Sequence, residues 1–400
     1  MTDRRNHRRT VAGLAVFLAV ALAAGCSDDK KVATTTTARV PQSIGAGEGA
    51  LSIVAWAGYA ENGSNDKAYD WVTAFEAATG CKTTVKVGNT SDEMVQLMET
   101  GDYDGVSASG NASVRLIAAG DVVPVNTALL TNYPDVAPFL KDRDYNSKDG
   151  QMYGMPHGWG ANLLMYNADV VTTAPASWSV VYDTSSPSKG KITAYDDWTA
   201  IADAAVYLKS SKPDLKISNP YALDQTQFNA AVDLLKSQRP LIGEYWGDYL
   251  KYEQASRAGS LVLGSSWQVI ANAVAAGDSS NKPVNVKTVL PKEGATAWSD
   301  TWMLSSKSKH PNCMYLWMNW ETKPDILSQV AEYFGEAPAN LKACDKTSDK
   351  SFCETFHASD EAYAKQLYYW TVPTEKCLDG RTVACVGFKK WVEAWTEIKG

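Results

Sequence analysis

The chain is 400 residues long, 45% hydrophobic and 21% charged, with a formal net charge of −7. This length allows two lobes with sizeable cores, and the acidity argues against nucleic acid, which attracts basic patches. The 14 tryptophans and 19 tyrosines suit cores, and equally the walls of pockets for sugars and amines.

Residues 1–25 read as a secretory signal. Arg4, Arg5, Arg8 and Arg9 make a basic start, and Val11 to Ala24 is an uncharged apolar run. The run is short for a membrane span and ends in small residues, so cleavage is expected. Its end, LAAGC at 22–26, resembles a bacterial lipobox, with the leucine four residues before the cysteine instead of three. Cys26 is therefore expected to carry a lipid that holds the protein at the outer face of the cytoplasmic membrane. Residues 26–49 lack aromatics and are rich in Thr, Gly, Ala and charge, which predicts a flexible tether. GAGEG at 45–49 looks like a phosphate loop but precedes the first strand instead of following one, so it is set aside. Loss of the signal removes four arginines and one aspartate, which takes the body from −7 to −10.

Within the body, 51–56 (LSIVAW) reads as a buried strand, and 67–79 has helical spacing that stops at Gly80. A strand is predicted over 82–87, a helix over 92–99, a strand over 105–109 and a helix over 114–119. After residue 167 the alternation resumes: a strand at 191–194, a helix through Tyr207, a helix at 230–238 and a strand at 260–264. Helices are predicted at 314–321, 324–333 and 388–398, the last bearing Trp391 and Trp395. Strands alternating with helices imply α/β layers with a largely parallel sheet.

With Cys26 set apart, six cysteines remain: Cys81, Cys313, Cys344, Cys353, Cys377 and Cys385. An even number in an exported chain suggests three disulfides among fifteen possible pairings. Cys344 with Cys353 and Cys377 with Cys385 would each close a short polar loop, which leaves Cys81 for Cys313. Neither CxxC nor a zinc spacing is present, and no catalytic signature stands in the right context. No enzyme activity, metal or cofactor is expected.

The stretch PKEGATAWSD, 291–300, holds the clearest chemical signal. If 297–301 is extended, Trp298 and Asp300 face the same way. A π-face beside a carboxylate suits an organic cation. The bland counterpart is one core tryptophan and one solvated aspartate at a strand end.

Seven stretches in order resemble the periplasmic polyamine-binding proteins of ABC importers, the spermidine/putrescine type among type II solute-binding proteins. They are VAWAGYAE (54–61), TSDEMVQLM (90–98), YDGVSASG (103–110), YGMPHGWGANLLMYN (153–167), SLVLGSSWQV (260–269), PKEGATAWSD and FGEAPANLKA (334–343). The resemblance implies a two-lobed α/β clamp, with 50–157 and 299–342 in lobe one and 158–298 and 343–400 in lobe two. It implies a polyamine in the cleft, delivered to a membrane permease driven by a separate ATPase, and a monomer is expected. Carried over by position, the binding residues are Trp56, Tyr59, Ser109, Asp197, Trp267, Trp298 and Asp300, with Glu393 on a weaker match. The chain departs from the family pattern at Asn111, where an aromatic is usual, and at Ala200, where an acid is. Glu336 stands where a tyrosine is frequent and joins the candidate set as a displaced carboxylate. A sugar, an amino-acid derivative or another organic cation is the alternative ligand, and a surface enzyme or adhesion module the alternative class.

Overall fold

The computed structural model describes residues 40–277 and 280–400. The predicted signal, Cys26 and tether residues 26–39 lie outside the described residues. Residues 40–49, predicted as tether, instead lie against the body. Glu48 explains why: its carboxylate accepts the backbone N–H groups of Asn312 and Cys313 at 2.9 Å each. It thereby satisfies the open first turn of the helix Pro311–Glu321, where an anion is favoured. Asn312 in turn accepts the Gly45 N–H at 2.7 Å.

The strands in chain order are β1 (Ala50–Ala55), β2 (Lys82–Val87), β3 (Gly105–Ser109), β4 (Val122–Val123), the hairpin β5 and β6 (Ser147–Lys148, Gln151–Met152), β7 (Met155–Ala161) and β8 (Leu163–Asn167). Then come β9 (Ile192–Tyr195), β10 (Ile242–Trp246), β11 (Leu263–Ser266), β12 (Val286–Val289), β13 (Ala295–Ser305), β14 (Ala337–Pro338) and β15 (Leu367–Tyr369). They form two main sheets. The larger has the order β14-β7-β13-β3-β1-β2, with β4 and β15 also pairing with β13. The smaller has the order β10-β9-β11-β8-β12. β1 is parallel to both β2 and β3, as predicted for alternating strands and helices, but β13 runs antiparallel to β3 and β7.

The chain leaves the larger sheet at Asn162, between β7 and β8, and returns between β12 and β13. Both β7 and β13 run unbroken across the positions where the resemblance divides the lobes, and β15 also lies in the larger sheet. Asn162 ties the exits together: its N–H reaches Thr296 O at 2.9 Å and its side-chain amide reaches Thr296 Oγ1 at 2.7 Å. All eleven residues of β13 are buried, so this strand is the spine of the core.

The disulfides are Cys81–Cys313, Cys344–Cys353 and Cys377–Cys385. No helix among the described residues is long and apolar enough to cross a membrane. Several helices differ in extent from the sequence reading, among them Gly110–Ala119 and Pro311–Glu321, which start earlier than expected, and two differences have a clear local cause. The first helix is shorter, Val72–Thr79, because Asp70 caps Thr73 N at 2.9 Å and residues 67–71 turn instead. The helix Gln225–Gln238 is longer at its start, because Asp224 and Gln227 form a capping box.

Candidate binding site

The site is built where β13 passes between β3 and β7. The register sets Asp300 opposite Ser109 on one side and Gly158 on the other. Ser109 is the N-cap residue of the helix Gly110–Ala119, yet its hydroxyl makes no cap. It donates to Asp300 Oδ1 at 2.5 Å instead, giving up a favoured helix-start bond for a carboxylate. On β7 the register slips at His157, and this bulge turns the imidazole into the interior, where it is fully buried.

Tyr59 comes from the turn after β1. Its ring stacks on Phe334 with centroids 4.0 Å apart and stands edge-on to His157 at 4.5 Å. Its hydroxyl lies 2.8 Å from Asp300 Oδ2 and 2.7 Å from Glu336 Oε2. Glu336 follows the left-handed Gly335 that ends the helix Pro324–Phe334, just before β14 pairs with β7. A Cβ on Gly158 would fall 1.7 Å from Glu336 Oε2, so only glycine leaves room for this acid. Expected as a displaced carboxylate, Glu336 is fully buried rather than a solvated loop residue.

Behind it, His157 Nδ1 lies 3.7 Å from Glu336 and 3.5 Å from Glu321, while Nε2 meets Ser107 Oγ at 2.8 Å. Burial dominates the electrostatics. It pushes Glu336 up to about 8, Glu321 to about 7 and Asp300 to about 6, and it lowers the His157 imidazole. Among the described residues no lysine or arginine pairs with any of these acids. The arrangement is short of positive charge, which is costly unless protons or a cation supply it.

Aromatic walls adjoin the acids. The Trp298 ring centroid is 6.1 Å from Phe334 and 6.2 Å from Trp267, and its Nε1 has no partner in the protein. Trp267 is held by Asn162 Oδ1, which accepts its indole N–H at 2.9 Å. Tyr195 stands between Trp267 and Trp370, at 5.6 Å from each, and burial first, then the charges of Asp197, Asp196 and Asp300, push its phenol well up. Asp197 is half-buried and accepts the Thr199 N–H at 2.8 Å. Burial first, then neighbouring Asp92 and Asp196, push it up to about 7. Asp196 pairs with Lys399 at 2.7 Å and Asp92 pairs with Arg115, so Asp197 is the acid of the three left without a cation.

The sequence-expected residues therefore divide. Tyr59, Ser109, Asp300 and Glu336 form one bonded cluster, and Trp267 and Trp298 adjoin it through ring contacts. Asp197 is not bonded to this cluster; it acts electrostatically on Tyr195, whose ring lies 5.6 Å from Trp267. Trp56 is half-buried with its Nε1 unpartnered, and no ring contact joins it to Tyr59. Glu393 is not in this cluster and corrects the weaker match. It lies on the outer face of the helix Phe388–Lys399, 2.7 Å from Lys390 and 3.9 Å from Lys389, and its amphipathic helix turns it to solvent. His157, Glu321, Tyr195, Phe334 and Trp370 were not singled out from the sequence. Asn111, where an aromatic was expected, is buried and accepts the Ser91 hydroxyl at 3.0 Å, linking two helices. Among the described residues no His, Cys, Asp or Glu cluster is arranged to hold a metal.

The sequence profile of bacterial extracellular solute-binding proteins matches residues 70–375. The chain belongs to that family. Among relatives of this solute-binding protein, the putrescine/cadaverine-binding protein of Pseudomonas aeruginosa is 26% identical over 303 residues, 71% of this chain and 80% of the relative. The spermidine/putrescine-binding periplasmic protein of Escherichia coli is 23% identical over 307 residues, 74% of this chain and 83% of the relative. A solved structure, a putative spermidine/putrescine ABC transporter from Listeria monocytogenes, superposes with a TM-score of 0.70 at 20% identity, covering 88% of this chain and 99% of that one. That likeness shows the fold: the two-lobed α/β clamp of periplasmic binding proteins.

Proposed function

We propose that this solute-binding protein captures a polyamine of the putrescine or spermidine kind between its two sheet bodies and delivers it to an ABC permease driven by a separate ATPase. One observation carries the reading. Asp300 and Glu336 are buried carboxylates, joined by one tyrosine hydroxyl, with no lysine or arginine among the described residues to neutralise them and with Trp298 two residues before Asp300 on the same strand. An ammonium group supplies the missing charge through charge-assisted hydrogen bonds, and indole faces suit its methylene chain. Asp197, which acts on Tyr195 and is left without the cation that its neighbour Asp196 has, is the acceptor for a second ammonium. The names of the relatives point the same way. The lobe bounds implied by the resemblance, 50–157 with 299–342 and 158–298 with 343–400, shift in this reading to the crossovers at Asn162 and between β12 and β13, because β7 and β13 are continuous. Closure of these lobes on the ligand creates the surface the permease reads. The mature protein is a monomer held at the outer membrane face by a lipid on Cys26.

A thermal-shift screen tests the ligand. The panel is putrescine, cadaverine, spermidine, spermine, agmatine, several sugars and several amino acids. A specific amine at a hundred times its Kd stabilises the fold by about 2.7 kcal/mol, a readable rise in Tm. A shift with a sugar or a neutral amino acid, and silence from every amine, overturns the polyamine assignment and leaves the family intact.

A further inference from the structure

We propose that the Asp300–Tyr59–Glu336 unit holds one exchangeable proton in the empty site, and that the ligand's cationic group replaces it, so that binding releases a proton from Glu336. This rests on the reading that the ligand is a cation bound at Asp300.

The proton count comes from geometry. A phenol has one O–H, yet the Tyr59 oxygen lies within hydrogen-bond distance of two carboxylates, at 2.8 and 2.7 Å. It can donate to one of them. The other holds so short a contact by donating its own proton to the phenol oxygen. Asp300 is the anion of the pair, because Ser109 also donates to it at 2.5 Å. Glu336 is the acid, because its Oε1 has no partner and its carboxyl is sealed against Gly158. The groups facing the unit are His157 from β7, Glu321 from the helix Pro311–Glu321, and Ser107 and Ser109 from β3. None is a fixed cation, and burial holds His157 below its ordinary value. Burial likewise raises Glu336 to about 8, so it keeps its proton at neutral pH until a positive charge arrives. The step balances in charge: the protonated site and an alkylammonium give the complex and one proton to the buffer. Alkylammonium groups, like lysine at about 10.4, keep their own protons throughout.

The test is isothermal titration calorimetry of putrescine and spermidine into the purified chain at pH 7, in buffers of different ionisation enthalpy. The observed heat should vary with buffer with the sign of proton release, up to one proton per ligand. Affinity should rise with pH from 6 towards 8, by up to about tenfold per unit, and level off above. Glu336→Gln, shown folded by its melting curve, should lose most of both dependences, whereas Glu321→Gln should retain them. Tight amine binding with buffer-independent heat in the wild-type chain overturns the proton exchange and leaves the polyamine reading standing. Loss of the dependence in Glu321→Gln alone overturns the assignment to Glu336. Absence of heat from either amine, with a sugar or amino acid binding instead, removes both readings.

Discussion

Asp300 carries the largest single share of the proposed recognition, and its replacement should separate binding from folding. Asp300→Ala is expected to weaken amine binding by about 2–5 kcal/mol, the cost of leaving a buried cation unpaired. Calorimetry measures it, and binding unchanged within error would remove Asp300 from the site. Glu336 gives a second, independent reading through stability. Its folded value, about 8, lies above its ordinary 4.5. The native state therefore keeps a proton that the unfolded chain gives up. This contribution is fully present below about pH 4.5 and is lost as pH rises through about 8. In the ligand-free protein, Glu336→Gln should thus gain in unfolding free energy relative to wild type from pH 5 to pH 9, by an amount on the order of a few kcal/mol, read as a rise in its relative Tm. A difference between the two curves that stays flat with pH would show that Glu336 does not hold its proton.

At the scale of elements, the site depends on β13 lying between β3 and β7 and on glycine where β14 approaches. Gly158→Ala would drive a methyl into the Glu336 carboxylate, 1.7 Å away. Overpacking of this kind costs about 1–3 kcal/mol, and the cost should shrink sharply in a Glu336→Ala background. Urea unfolding of the four proteins of that cycle measures the coupling, and additive costs would mean that Glu336 moves aside freely. This pairing also shows what the sequence could and could not disclose. The ends of β2 and β3 follow directly from side-chain pattern and flanking glycine. Trp298 and Asp300 were readable because two-residue alternation is a local rule. Glu336 drew attention only as a departure at its position, since nothing local tells a buried acid from a solvated one. His157 and Glu321 were silent. Their burial comes from a register slip on β7 and from the packing of a helix on β13, and both are set by partners far away in the chain. The strand β10 follows no clean two-residue alternation, with Ile242 and Trp246 buried and Gly243 and Glu244 exposed between them, whereas the helix Gln268–Ala276, with Ile270, Ala271 and Val274 at helical spacing, was legible and was passed over. Glu393 misled for the opposite reason: a plausible position on an amphipathic helix that turns it outward.

At the scale of the whole molecule, two adjacent crossovers between the sheet bodies are pinned by Asn162 to Thr296 and to Trp267, and a third passage follows β15, after which the helix Phe388–Lys399 packs on the smaller body. Asn162 thus bonds both the return crossing and a wall of the site. The Cys81–Cys313 bridge ties the first helix–strand turn to the helix that follows β13, across 232 positions. Replacing both cysteines with serine is expected to cost about 2–5 kcal/mol. Chemical denaturation reads the loss, and a variant as stable as wild type would mean that packing alone holds that corner.

The same bridge has a consequence for synthesis. Residues Asn162 to Gly294, which carry the whole smaller sheet, lie between the two halves of the larger one. At ribosomal rates of about 5–20 residues per second, Cys81 waits roughly 10–50 s for its partner to be made. Through that interval the first strands of the larger sheet have neither β13 to pair with nor their covalent clasp, whereas the strands of the inserted sheet all emerge before it ends; only the helix Phe388–Lys399, whose Trp391 packs on Tyr221 and Phe228, is still missing from that body. The order of emergence thus favours the inserted sheet folding first. The carboxylate cluster, which needs β13, is assembled after that sheet, and the helix Phe388–Lys399 closes over the inserted body at the end.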